Sequence, residues 1–536
     1  MTGSKLPARP SLESLRKQAK KLARDIKAGG ADAIGRARAQ LPQAQLPLSQ
    51  RDAQLVLARE YGFSGWQDLV KEVKQRLGSG VEWAVSQART RIHDNDIEGL
   101  RQLLAEYPSL LSWRADENNG GLIGMATESY GDSSDAFREQ HYTRAACAEH
   151  LIDAGAVVSP SVCDGIIGSR ARGLLDLFHR KGVLPRSLKF FAALGDINGV
   201  RACLDANGAD LAEVNQAFLC ACGFRHAAAA ALLLDRSIML DAELGRQIDG
   251  GPGSSAFIQY VIANGLDSSN DGRTGLWPGF VMKQVSRALH EDDLTSFVAG
   301  LRREAWLLSD TCVKFQIRLI EAAVLNDRGA FIAALLDLEP AVLRTRVPPS
   351  SKAIEFAFTY AKTHLLPMLM RIWPMPDDLP HAAGNGDFAG VKRWFDEAGK
   401  PALGDLANHL CPGNAANTHL EKLIWGEPSV QQVLDTALAW AVINNHLDIA
   451  DFLLAHGADI NTNWGSHEPS SILHDLVYFH KNYEAMQFVI DRGIDMTIVD
   501  YRWRSTAQGW AYHAVNDKKM AQWLGEAQQQ REQASR

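Results

Sequence analysis

The chain is poor in cysteine, with seven in 536 residues, and those seven are scattered. That is no disulfide framework, and a reducing compartment is expected. Long apolar runs are also missing. The most apolar short run, Ala227 to Leu234, is closed by Asp235 and is far too short to cross a bilayer. Met1 to Pro10 lacks the apolar stretch of an export signal, so a soluble, cytoplasmic protein with no membrane partner is expected. A large excess of one charge is absent too. Lys and Arg number 56 and Asp and Glu 63, a net charge of −7, which argues against a whole-chain nucleic-acid binder, and no nucleic-acid partner is expected. No nucleophile elbow, P-loop, dinucleotide fingerprint or zinc-protease motif occurs. Cys220-Ala-Cys222 lacks the spacing of zinc ligands, and His474 and His480 do not share a helical face. Neither a metal nor a cofactor is expected. Gly250 to Ser255 is glycine-rich but has no phosphate-binding lysine, so it reads as a turn.

What is present begins with a charge asymmetry. Residues 1–40 hold ten cations and three acids, a net +7, which leaves −14 for the rest of the chain. Leu12, Leu15, Ala19, Leu22 and Ile26 recur at helical steps with cations between them. Such a helix could dock on an anionic surface or partner. It could equally pack its stripe on the body and coat the outside with lysine stems, and the narrow, alanine-diluted stripe favours this. Ser49 to Asp52 has a capping-box pattern, with Asp in place of Glu, ahead of a helix that Gly62 should end. Ser64-Gly65-Trp66 opens another helix, expected to stop at Gly78.

Further along, a period of 35 residues emerges. Thr436 to Ala441, Ser471 to Leu476 and Thr506 to Ala511 align at that spacing, each starting with a hydroxyl residue able to cap a helix. A second apolar helix follows each hexad, at Ile449–Leu454, Ala485–Ile490 and Met520–Leu524. Gly457 and Gly493 then supply helix ends. Weaker copies occur upstream, around Asp94–Leu104, Ala148–Ala156, Leu188–Asp210 and His381–Phe395, and suggest about eleven helical pairs from 81 to 525.

These hexads resemble the ankyrin repeat. The family's Thr-Pro-Leu-His-x-Ala signature is matched by Thr436, Leu438 and Ala441 in one copy and by Leu473 and His474 in the next, with the proline absent in all three. His446 to Asn461 carries the strongest match. Leu12 to Val73 is similar to a helical leader found ahead of ankyrin repeats in many bacterial proteins, a likeness that brings no activity with it. The resemblance implies an all-α, ankyrin-like helical-repeat solenoid with a helical N-terminal cap. The expected divisions are a basic cap at 1–80, degenerate repeats with insertions at 81–430, regular repeats at 431–525 and a polar tail at 526–536. Small inner residues such as Ala192, Ala193, Ala439 and Ala441 should let layers approach, with Leu232, Leu233, Leu335, Leu336, Leu453 and Leu454 filling behind.

The resemblance implies binding, most often of a protein, on the concave face and loop tips. Two tips stand out chemically. One offers Trp464, His467 and Glu468, and the other Asp500, Tyr501, Arg502, Trp503 and Arg504. Aromatic faces beside carboxylates and guanidinium groups suit a peptide or a small, carbohydrate-like ligand. Trp464 and Trp503 could instead stack on neighbouring loops and hold them. An alternative is a hydrolase of carbohydrate-type substrates whose general acid and base come from Asp116, Glu117 and Glu128, in the first of three long interruptions. Those interruptions run over 116–142, 265–279 and 414–428. Insertions merely tolerated at loop tips would look the same.

Overall fold

The computed structural model describes residues 6, 12–41, 46–114, 120–128, 143–248, 252–267, 275–345, 351–410, 429–462, 464, 470–500, 503 and 505–534. The described residues are helices and turns. Among the described residues, backbone pairing of the β kind is confined to two isolated bridges, Phe395 with Pro401 and Val499 with Thr506. Two compact units divide the chain, Met1–Gly265 and Leu266–Arg536.

The first unit opens with α1 (Leu12–Lys27), α2 (Ala31–Gln40), α3 (Gln50–Glu60) and α4 (Trp66–His93). Leu15, Ala19, Leu22 and Ile26 of α1 are buried against α2, α3 and α4, and the cations of α1 stay outside. The stripe therefore packs inward. At α3 the capping box forms as its residues dictate. Ser49 Oγ accepts from the Asp52 N–H at 3.1 Å, and Asp52 Oδ2 accepts from the Ser49 N–H at 3.1 Å. Gly62 then takes a φ of +84°, a left-handed conformation that suits glycine. The expected stop at Gly78 is corrected: α4 continues through Gly78 and Gly80 to His93. A glycine in a helix costs about 1 kcal/mol. Burial of Trp83, Ala84, Val85, Ala88 and Ile92 on the continuing turns outweighs that.

A single local device turns the chain from one helix of a pair into the next. Among the described residues, eleven pairs meet at one left-handed residue: Asn95, Arg170, Gly195, Arg225, Asp292, Asp327, Ala361, Gly386, Asn445, Lys481 and Asn516. Nine of these hinges, Asn95 to Asn445, close in the same way. The hinge N–H reaches back three residues, as from Asn445 to the Val442 carbonyl at 3.1 Å. The following N–H reaches back five, as from His446 to the Ala441 carbonyl at 2.8 Å. This is the Schellman arrangement, which satisfies carbonyls that a helix end would otherwise strand. An aspartate after the hinge often caps the second helix. Asp96, Asp196, Asp293 and Asp387 each accept the N–H three residues on, at 2.8–3.0 Å.

Packing follows residue size. Ala192, Ala193, Ala439 and Ala441 are fully buried on first helices, and Leu233, Leu335, Leu336 and Leu453 are buried on second helices. Cys220 and Cys222 lie in the helix Leu211–Gly223, where burial pushes their thiols up to about 11 and about 12. Such thiols stay protonated and unreactive at neutral pH.

Candidate functional site

The hydroxyl caps of the second unit bring its last repeats into register. Ser471 and Thr506 start their helices as expected. Thr436 does not. It lies inside the helix Val430–Ile443, where its hydroxyl donates to the Gln432 carbonyl at 2.7 Å. The start has moved upstream because Ser429 and Gln432 form a capping box of their own. Ser471 Oγ sits 2.8 Å from His474 Nδ1, and His474 Nε2 lies 3.0 Å from the Ser505 carbonyl of the following loop. His474 is fully buried, and burial holds its pKa below the ordinary value, although the bond with Ser505 acts the other way. It is a neutral strut between adjacent repeats.

The loop that His474 grips is built around Asp500. This carboxylate is 0% exposed. Its Oδ1 accepts from the Trp503 N–H at 2.6 Å. Its Oδ2 accepts from the Ser505 N–H and from the Trp510 indole, both at 2.9 Å. The Asp500 N–H in turn donates to the Ser505 carbonyl at 3.0 Å, beside the Val499–Thr506 bridge. Asp500 is thus consumed inside the loop it shapes. Asp500→Ala strands three donors and is expected to lower the stability of this repeat by about 2–3 kcal/mol, read from urea midpoints; a loss under about 0.5 kcal/mol would contradict the latch.

From that loop a row of rings crosses three repeats. Trp503 stands 5.9 Å from Trp510, Trp510 5.7 Å from Tyr478, Tyr478 4.7 Å from Phe479, and Phe479 5.3 Å from Tyr360. All four pairs meet edge to face, which their quadrupoles favour. Trp503 and Tyr478 reach solvent, at 45% and 46% exposure. Tyr478, Phe479 and His480 are carried by a π-helical turn, Leu476–His480, closed by the Lys481 N–H donating five residues back to the Leu476 carbonyl at 2.7 Å. Wide turns of this kind recur at functional sites. Burial pushes His480 down to about 4, against a hydrogen bond with the Thr359 backbone, so the row has no cationic imidazole at neutral pH.

A family model of ankyrin repeats, in three copies, matches residues 403–500. Residues 403–500 therefore carry ankyrin repeats. No curated protein matches it. The ankyrin match covers the repeats that carry Asp435, His474 and Tyr478, and the Schellman hinges recur upstream of it, from Asn95 to Gly386.

Of the residues expected to bind a ligand, the ankyrin loops treat each differently. Trp464 is buried in the apolar core. Asp500 is bonded within its loop, and Trp503 is exposed beside Trp510. His467, Glu468, Tyr501, Arg502 and Arg504 lie outside the described residues. So do Asp116 and Glu117, whereas Glu128 follows the helix Gly121–Thr127. Most of the three long interruptions also falls outside. Among the described residues no group of three His, Cys, Asp or Glu side chains could hold a metal, and no helix is long and apolar enough to cross a membrane.

Sequence reasoning passed over the buried charges. Asp378 Oδ1 accepts from the His381 N–H at 2.8 Å and lies 2.8 Å from His381 Nδ1, and both residues are almost fully buried. Asp435 Oδ1 accepts from Gln431 Nε2 and from the Asp459 N–H, both at 2.8 Å, which ties a first helix to the loop that follows the second. Burial raises the Asp435 pKa despite these bonds. Asp378-Leu-Pro-His381 places an acid and a histidine three apart at a helix start, and Ser471-Ile-Leu-His474 has the same spacing; that shared spacing is the signal that could have exposed the pair.

Proposed function

We propose that this ankyrin-repeat protein is a binding protein that takes a protein partner on the aromatic row of its last repeats. One observation carries the reading: large rings stay in solvent, aligned across neighbouring repeats, although the same chain buries Trp440 and Trp464. Exposed Tyr and Trp held rigidly by their neighbours are the side chains that concentrate binding energy at protein interfaces. A rigid row also loses little conformational entropy when a partner docks. The finer possibility, a small or carbohydrate-like ligand at the same tips, draws on the same exposed Trp503. The hydrolase alternative has no support among the described residues, because two of its three carboxylates lie outside them.

The test is affinity capture from the native host with the full chain, followed by titration calorimetry with the partner so identified. Tyr478→Ala and Trp503→Ala are each expected to weaken that partner's binding by about 30-fold or more, as hot-spot truncations do. Unchanged affinity in both variants would move the interface elsewhere.

A further inference from the structure

The leader has a second face that protein binding by the C-terminal repeats does not use. Arg16, Lys17, Lys20, Lys21, Arg24 and Lys27 of α1 are all exposed. At about 100° per residue they fall within an arc of roughly 140°. The buried residues Leu15, Ala19, Leu22 and Ile26 occupy an arc of roughly 60° on the opposite side. The acids of α1 are Glu13, which falls within the same arc one turn before Lys17, and Asp25, which falls outside it, the latter 3.9 Å from Arg24. From Arg16 to Lys27 the rise is eleven residues, about 17 Å. Phosphates of one duplex strand follow at 3.4 Å along the axis, so about five of them lie beside such a face.

Three features select among anions. Leu15, Ala19, Leu22 and Ile26 of α1 are locked against α2, α3 and α4, so this buried stripe is not available to enter a bilayer. The helix carries no aromatic residue on which an unpaired base could stack. Four of the six cations are lysines, point charges that suit phosphates and do not need the paired geometry of a carboxylate–guanidinium fork. We propose that this face of α1 binds the phosphate backbone of a double-stranded nucleic acid without reading its sequence. The net charge of the whole chain does not oppose this, because the field at a surface is set by charges within about 10 Å at ordinary ionic strength.

The experiment is fluorescence anisotropy of a labelled DNA duplex of about twenty base pairs with the full chain, at salt concentrations from about 50 to 200 mM. Neutralising about five phosphates gives a log–log slope near −4.5, a fall of about 500-fold in affinity over that range. Lys20→Gln/Lys21→Gln/Lys27→Gln is expected to flatten the slope by about three, one per lost phosphate contact. Glutamine keeps the helix, since its propensity is close to that of lysine, and circular dichroism checks that it does. The Lys→Arg triple at the same positions should restore the wild-type slope, whereas Lys181→Gln, which removes a cation paired with Asp153 elsewhere in the unit, should leave it unchanged. No duplex binding at low salt overturns the proposal, as does a slope indifferent to the triple substitution. Equal or tighter binding to phosphatidylserine vesicles or to polyglutamate also overturns it, in favour of a lipid or an acidic protein.

Discussion

Trp440→Ala is expected to destabilise the second unit by about 3–5 kcal/mol, the largest effect of any single apolar truncation in it. Trp440 is 2% exposed and is the largest fully buried side chain among the described residues. Its ring lies 5.1 Å from that of Phe358 and 5.1 Å from that of His381, so it joins two earlier first helices to its own. Its indole also lies 3.2 Å from Thr359 Oγ1, a bond that spans 81 residues of sequence. Alanine would remove the ring, the bond and the contacts of both neighbours. The surrounding helices are fixed by their own caps and cannot close the space. Urea unfolding followed by helical circular dichroism reads the change. A loss under about 1 kcal/mol would show that the repeats on either side hold together without this ring.

Removing Asp378 should cost as much, for a different reason. Deleting a buried acceptor costs about 1–3 kcal/mol for each donor left desolvated and unmatched, and several donors share this carboxylate. In Asp378→Ala the His381 ring and its N–H lose their acceptor, and so does the Leu410 N–H, 3.3 Å from Asp378 Oδ2. His381 Nε2 already has no hydrogen-bond partner among the described residues, so the ring would be left with none. The pH dependence follows from the direction of the shift. Burial pushes the Asp378 carboxyl up, but the hydrogen bond and attraction of His381 outweigh it and hold the folded-state pKa below the ordinary value. A lowered folded pKa adds stability that is fully present above the unfolded value of about 4 and is lost as pH falls through the folded value. The gap between wild type and Asp378→Ala should therefore be widest near neutral pH and shrink in acid. A gap that stays constant from about pH 7 to pH 3 would assign the carboxylate no such role.

Much of this architecture was legible because it is local. The capping box of Ser49 and Asp52, the stop at Gly62 and the glycines after the second helices each depend on fewer than six residues, all visible in sequence. The 35-residue period was legible for the same reason, since each hexad and the helix behind it repeat short-range patterns. What failed depends on distance. Gly78 reads as a stop, yet α4 continues because the turns beyond it are buried by residues elsewhere in the unit. Thr436 reads as a cap, yet Ser429 captures that role seven residues earlier. Arg170, Arg225 and Ala361 carry no mark of the left-handed hinges they form, because the bonds that hold them come from carbonyls of the helix before. The candidate site divides along the same line. The exposure of Trp503 fits its place at a loop tip, but Asp500 could be seen as a latch only once Trp510 was placed beside it.

The hinges also bear on how the protein comes into being. In nine of them the chain reverses direction through bonds that reach back three and five residues. Closing so short a loop takes on the order of 10–100 ns, far less than the time a ribosome needs to add one residue. Each helix pair can therefore turn back on itself as soon as it emerges, and wait only for the next pair to cover its apolar side. Synthesis order becomes assembly order, and a chain of 536 residues need never search for distant partners all at once.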